Sequence, residues 1–249
     1  MSQLTQRVLT AIPLLGGLLA VLFLAPVRIV ALVAGLVMVL GAWEWSAFLG
    51  WQLPRWRAVY AGACTLLLVL AGWLVPDRVA LEPVLYVALA WWVVALLWIL
   101  RFPTPVPPAA AAVAGVLVLV PAWLALVAIL SVPGRGPALA LVALCTIFAA
   151  DIGAYFAGRR FGRLKLAPQV SPGKTWEGLF GGVLLATLAS VAGGLLVGLP
   201  PASMIPLGLG VAVLSVVGDL AESMFKRSVG AKDSGRLIPG HGGALDRLD

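Results

Sequence analysis

Apolar residues run along this chain in long stretches that are separated by short segments containing proline or charge. About 20 consecutive apolar residues are needed for an α-helix to cross a hydrocarbon core about 30 Å thick. Eight stretches meet this requirement and are predicted to span a membrane: residues 7–25, 28–48, 58–75, 83–100, 109–130, 137–157, 178–198 and 203–221. Only Ala25, Pro26 and Arg28 separate the first two, so a seven-span protein is the alternative.

Composition agrees with this pattern and excludes a water-soluble domain. The chain is 62% hydrophobic and 11% charged, with a mean hydropathy of +1.07, whereas soluble domains carry about 25% charged residues. Cys64 and Cys145 both lie within apolar runs, which favours packing roles over a disulfide. The predicted fold class is therefore all-α: one polytopic transmembrane helical bundle over residues 1–249.

The distribution of basic residues predicts the orientation of the bundle. If the N-terminus is cytoplasmic and the chain has eight spans, all of the 17 lysines and arginines except Arg28, Arg78 and Arg135 lie on the cytoplasmic side. The net charge of +7 is then concentrated on a surface that can meet anionic lipid headgroups and phosphate ligands. No nucleic-acid partner is predicted, because aromatic residues do not alternate with the basic ones.

The first of two polar segments covers residues 150–178 and opens with Asp151 at the end of the sixth predicted span. A carboxylate near a bilayer is energetically costly, so either a functional role or a basic partner is expected for Asp151. Asp151 could bind a cation or a substrate. The alternative is an interfacial acid paired with Arg159 or Arg160.

The sequence SPGKT, Ser171 to Thr175, resembles the end of a P-loop, but Pro168 stands where a P-loop needs its first glycine. Pro172 and Gly173 predict a turn. Lys174 supplies a positive charge, and the hydroxyls of Ser171 and Thr175 lie near a predicted helix start, which together suit a phosphate. The alternative is an ordinary helix start capped by Thr175 or Ser171.

The second polar segment covers residues 218–249. Asp219, Glu222, Ser223 and Lys226 follow i, i+3, i+4 and i+7 spacing and therefore share one helix face. A salt bridge between Glu222 and Lys226 is the simplest alternative to a binding role. The glycine-rich tail that follows adds further charged groups, and paired carboxylates with hard oxygen atoms suit Mg²⁺.

These residues resemble a known family, the phosphatidate cytidylyltransferases or CDP-diacylglycerol synthases. The run from Ser223 to Asp249 is similar to the family signature, and the resemblance covers essentially the whole chain. The upstream elements that carry it are AWEW (Ala42–Trp45), ADIGAYFAGRRFG (Ala150–Gly162), KLAPQVSPGKTWEG (Lys165–Gly178) and GDLAESMFKR (Gly218–Arg227).

The resemblance implies a Mg²⁺-dependent transfer from CTP to phosphatidic acid, with a second cation as an option, at the cytoplasmic face of a bacterial inner membrane. It implies that Asp219 and Asp246 bind the metal. The catalytic group would comprise Asp219, Asp246, Lys226, Asp233 and His241. The substrate-binding group would comprise Ser171, Lys174, Thr175, Arg227, Lys232, Asp151 and Glu222.

The resemblance also carries expectations about assembly. A homodimer is compatible with it, and Gly178 with Gly182 forms a G-x-x-x-G stripe that suits close helix packing, more simply within one chain. Family members generally continue past the signature into a final hydrophobic span, whereas the sequence given stops at Asp249. The expectation is that this sequence is truncated or that the last span is dispensable. Two other functions stay open: a secondary transporter, and a transferase acting on another lipid phosphate, such as a relative of dolichol or phytol kinases.

Overall fold

The structure is a computed structural model that describes residues 3–51, 53–75, 78–231, 234, 235 and 245. The predicted all-α bundle is confirmed. Its helices are α1 (Gln3–Leu24), α2 (Val27–Trp45), α3 (Pro54–Leu74), α4 (Arg78–Leu100), α5 (Pro108–Leu130), α6 (Gly136–Phe161), α7 (Trp176–Leu196) and α8 (Pro201–Ser228). In the described part of the chain, α2 to α8 are long and apolar enough to cross a membrane, and α1 contributes the shorter apolar stretch Leu15–Leu24.

Proline fixes several of the helix boundaries. Pro54, Pro108 and Pro201 each occupy the first position of a helix, where the missing N–H costs nothing and the fixed φ angle suits the helix. The polar end of α8 extends to Ser228. Asp219, Glu222 and Lys226 therefore lie in one helix, as their spacing predicted.

The bundle buries a core rich in aromatic side chains and leaves apolar side chains on its outside. Trp45 packs against Phe225 of α8 with ring centroids 5.1 Å apart, and Phe48 stacks on the same ring. Outward-facing residues such as Leu36 and Trp73 are 66% and 77% exposed. Lipid covers such a surface in an integral membrane protein.

Small residues bring α6 and α7 into the most extensive helix contact of the described bundle. A Cβ at Gly182 would lie 2.8 Å from the carbonyl oxygen of Ala150, and one at Gly178 would lie 3.0 Å from that of Ala154. The G-x-x-x-G stripe therefore packs within the chain, which confirms the intramolecular interpretation.

A small antiparallel hairpin joins α6 to α7. Strand β1 (Lys165–Ala167) pairs with β2 (Ser171–Thr175), with Lys165 opposite Thr175. The turn predicted at Pro172 and Gly173 is wrong, because both residues lie in β2 and the turn covers residues 168–170. Proline is tolerated here because either strand of a two-stranded sheet is an edge strand.

Candidate functional site

A cavity of about 500 Å³ opens between α6, the hairpin, α7 and α8. This volume is typical of small-molecule sites. Two of the elements that build it, the hairpin and the end of α8, come from the two polar segments of the sequence. Among the described residues, the charged and hydroxyl side chains that line the cavity are Asp151, Tyr155, Arg159, Lys174, Thr175, Ser215 and Asp219.

An ion pair between Lys174 and Asp219 joins the two polar segments. The Lys174 Nζ contacts Asp219 Oδ2, and both side chains are 25% exposed. Strand β2 directs the lysine towards α8, whose last turns present the aspartate. The structure thus brings together two residues predicted for this site that are 45 positions apart in the sequence.

The opposite wall of the cavity belongs to α6. Ser215 Oγ of α8 lies 3.5 Å from Asp151 Oδ1, at the outer limit of a hydrogen bond. One turn further along α6, Arg159 Nη1 donates to the Tyr155 hydroxyl at 3.0 Å. Sequence analysis predicted Asp151 but assigned no binding role to Ser215 or Arg159, whose contributions depend on the packing of α6 against α8.

Thr175 connects the hairpin to α7. Its Oγ1 accepts a hydrogen bond from Gly178 N at 3.1 Å, which confirms the predicted cap of this helix. The Glu177 carboxylate accepts from Leu164 N at 3.2 Å and so ties the helix start to the segment before β1. A Cβ at Gly158 would lie 3.2 Å from Thr175 Oγ1, so glycine lets α6 pass close to the cap. The position of Lys174, one residue before the cap, is therefore well fixed.

An apolar groove of about 440 Å³ adjoins the polar cavity. Leu166, Leu179 and Val216 line both spaces. Beyond them the groove is walled by α4, α7, α8 and the hairpin, including Leu96 and Leu100. Charged and apolar spaces thus meet at one wall, an arrangement that suits a ligand with a polar head and an apolar tail.

Four other predicted residues lie outside the lining of the polar cavity. Glu222 is 5% exposed and pairs with Lys226 at 3.4 Å, as the salt-bridge alternative predicted. Arg227 is exposed at the end of α8, and Ser171 lies at the start of β2, opposite Ala167. The catalytic role of Lys226 and the substrate-binding roles of the other three stay predictions.

Four predicted site residues lie outside the described residues: Lys232, Asp233, His241 and Asp246. Their roles stay predictions. Their described neighbours, however, have clear positions. Ser234 Oγ and Leu245 N both donate to Glu44 Oε2, at 3.1 and 2.8 Å. Glu44 belongs to the AWEW element of the sequence, but no role was predicted for it. Because the contact spans 190 positions or more, no local signal could have revealed it.

The donor set of the cavity suits a hard cation. Asp151 and Asp219 supply carboxylate oxygens, and Ser215 supplies a hydroxyl, which are ligand types that Mg²⁺ prefers. Among the described residues, no three acidic, histidine or cysteine side chains gather closely enough to enclose a metal ion. Mg²⁺ commonly keeps several waters and binds through one or two carboxylates and substrate phosphates, so a two-carboxylate site fits it.

Known proteins resemble this chain along almost its whole length. The model of the cytidylyltransferase family matches residues 5–249. The chain is 42% identical to a phosphatidate cytidylyltransferase of Pseudomonas aeruginosa, over 99% of this chain and 92% of that protein. It is 39% identical to the Haemophilus influenzae protein of the same name, over 99% of this chain and 94% of that protein. A Brucella suis phosphatidate cytidylyltransferase shares 54% identity over 41% of this chain and 38% of its own length.

Membrane-spanning helices, a polar cavity at their ends and these similarities define a membrane-embedded nucleotidyltransferase. The chain belongs to the cytidylyltransferase family. The resemblance to phosphatidate cytidylyltransferases that the sequence motifs indicated is thereby confirmed.

Proposed function

We propose that this protein transfers the cytidylyl group of CTP to phosphatidic acid, giving CDP-diacylglycerol and pyrophosphate for phospholipid synthesis. The single observation that carries the proposal is the Lys174–Asp219 pair in a polar cavity that shares a wall with an apolar groove. The names of the Pseudomonas and Haemophilus relatives support the same two substrates.

The cavity suits a nucleotidyl transfer that forms no covalent bond to the protein. A phosphate oxygen of phosphatidic acid would attack the α-phosphorus of CTP, and the bond to the β-phosphate would break to release pyrophosphate. Lys174 and Arg159 would hold phosphate oxygens, with Lys174 exchanging its contact to Asp219 for one to the ligand. Catalysis would then consist of positioning and charge neutralisation.

Asp219, Asp151 and Ser215 would hold Mg²⁺ on the protein side, with Asp246 as the further predicted ligand outside the described residues. The metal, when bound, would neutralise phosphate charge in the transition state. A second cation in the same site stays part of the proposal.

The apolar groove would receive an acyl chain of the lipid, since its wall at Leu96 and Leu100 belongs to a membrane-spanning helix. The phosphate head would then lie in the polar cavity, which CTP would reach from the cytoplasm. A cytoplasmic site in a bacterial inner membrane is part of the proposal. The distribution of basic residues supports the orientation, and the bacterial relatives support the kind of membrane. A homodimer is likewise part of the proposal.

Incorporation of labelled CTP into lipid by the purified protein tests the proposal. We expect product with phosphatidic acid and Mg²⁺, and none after removal of divalent cations with a chelator. A polyprenyl phosphate serves as the competing substrate. A higher turnover with the polyprenyl phosphate, or equal turnover with and without divalent cations, would overturn the assignment.

A further inference from the structure

The end of α2 holds a buried carboxylate that the proposed reaction does not use. The Glu44 side chain is 1% exposed, yet its Oε2 accepts hydrogen bonds from Ser234 Oγ and Leu245 N. These partners lie 190 and 201 positions further along the chain. Burying a carboxylate is costly unless hydrogen bonds compensate it. The contacts therefore tie Ser234 and Leu245 to the end of α2.

The described residues of the C-terminal segment fit closely around this carboxylate. A Cβ at Gly235 would lie 2.5 Å from Glu44 Oε1, so only glycine leaves room there. The Leu245 side chain is 6% exposed and packs against α2, where a Cβ at Gly41 would lie 3.2 Å from Leu245 Cδ2. Ser234, Gly235 and Leu245 thus contact about one turn of α2, between Gly41 and Glu44.

The end of α2 is itself held in place by neighbouring helices. Trp45 Nε1 donates to Ala111 O of α5 at 2.8 Å. Arg57 of α3 donates to Ser46 Oγ at 3.0 Å and to Trp43 O at 2.9 Å. Residues built on such a rigid element can position others accurately. Phe225 of α8 rests on Trp45, so α8 and the segment that follows it share this support.

We infer that Glu44 is a positioning residue that fixes the C-terminal polar segment against the bundle, beside the end of α8. The two hydrogen-bond partners that belong to the described residues are sequence neighbours of predicted site acids: Ser234 follows Asp233, and Leu245 precedes Asp246. The inference rests on the proposed function only for its effect on turnover. The attachment itself is a property of the fold and can be measured without substrate.

Hydrogen–deuterium exchange on the full-length protein in detergent tests the attachment. The variants are Glu44→Ala and Glu44→Gln, with Glu82→Gln as the control, because Glu82 is exposed on α4. In Glu44→Ala we expect exchange in peptides covering residues 231–249 to accelerate by at least about fivefold, since Leu245 N loses its acceptor. Peptides from α6 and α7 should keep their protection, and Glu82→Gln should change neither region.

Glu44→Gln keeps the volume of the side chain and one acceptor oxygen, so it should accelerate exchange less than Glu44→Ala and serves if the alanine variant does not fold. Unchanged exchange of residues 231–249 in both variants would overturn the inference. Acceleration spread equally over α2 to α8 would overturn it too, because Glu44 would then stabilise the whole bundle.

A double-mutant cycle with Ser234→Ala supplies the second readout. We expect Glu44→Ala to lower kcat for CTP and phosphatidic acid by roughly tenfold, because small displacements of site residues are costly, while KM for CTP changes little. In the Glu44→Ala background, Ser234→Ala should lower kcat hardly any further, since both substitutions remove the same contact. Fully additive losses of kcat would contradict the positioning role.

If the wild-type protein shows no cytidylyl transfer, the proposed function fails, and the exchange experiment still decides the attachment.

Discussion

The cavity beside α8 and the end of α2 each contain a carboxylate that contacts a distant part of the chain, but the two regions differ in access to solvent. Asp219 is 25% exposed and contacts the ammonium group of Lys174, whereas Glu44 is 1% exposed and contacts a hydroxyl and a backbone N–H. An accessible ion pair adds little stability, so its groups can be exchanged for a ligand. A buried acceptor is costly to disrupt, which suits it to fixing structure.

This comparison predicts that substitutions in the cavity change turnover, whereas substitutions at buried packing positions change order and stability. The largest effect is expected for Asp219→Asn, which keeps the shape of the side chain and removes its charge. We expect kcat/KM for CTP to fall by about 100-fold or more, with a thermal midpoint close to that of the wild type. Turnover by the purified variant and its thermal unfolding measure the two quantities, with Glu82→Gln as control. Near-normal Mg²⁺-dependent turnover would remove Asp219 from the site.

Lys174→Met tests the other member of the ion pair with Asp219. Loss of a charge that neutralises phosphate should lower kcat/KM by roughly 10- to 100-fold. Lys165→Met is the matched control, because Lys165 lies in β1 of the same hairpin and does not line the cavity. Steady-state kinetics with varied CTP would show the difference, and equal losses in the two variants would indicate damage to the hairpin instead.

Gly182→Ala tests a buried packing position with no charge. The added Cβ would meet the carbonyl oxygen of Ala150, so overpacking should cost about 1–3 kcal/mol of stability. Gly210→Ala is the control, since no atom lies within 4 Å of a Cβ at Gly210. We expect Gly182→Ala to lower the midpoint of thermal unfolding by several degrees and Gly210→Ala to leave it unchanged. A stable Gly182→Ala protein would show that α6 and α7 are packed less closely than described.

The smallest effect is expected at the rim of the cavity. Arg159 lines the cavity, and its neighbour Arg160 does not, although both are exposed on α6. Arg159→Gln should raise KM for CTP by roughly fivefold, because one exposed charge contributes modestly to binding. Arg160→Gln should leave KM unchanged. A comparable rise in both variants would point to a general surface-charge effect, which added salt would weaken.

The fold could be predicted from the sequence because the bilayer imposes a length and a composition on each span. Pro54, Pro108 and Pro201 begin helices near the predicted boundaries. The hairpin could not be predicted in the same way. Pro172 and Gly173 favour a turn by their local preferences, but pairing of β2 with β1 outweighs those preferences.

Site residues were predictable where their spacing or motif carried chemistry, as for Asp219, Lys174 and the cap Thr175. Arg159 and Ser215 required knowledge of how α6 packs on α8. Glu44 required a contact between the second helix and the far end of the chain. Such tertiary proximity leaves no periodic or compositional trace in a single sequence, which is why no binding or positioning role was predicted for these three residues.

The most direct test of the central claim follows the α- and γ-phosphates of CTP in separate reactions. The purified protein is given phosphatidic acid and CTP labelled with ³²P at either the α- or the γ-phosphate, and the lipid and aqueous fractions are counted. The account predicts that the α-label enters the lipid and the γ-label leaves as pyrophosphate, in wild type and far more slowly in Asp219→Asn. A γ-label in the lipid would show phosphoryl transfer by a kinase and would contradict the account.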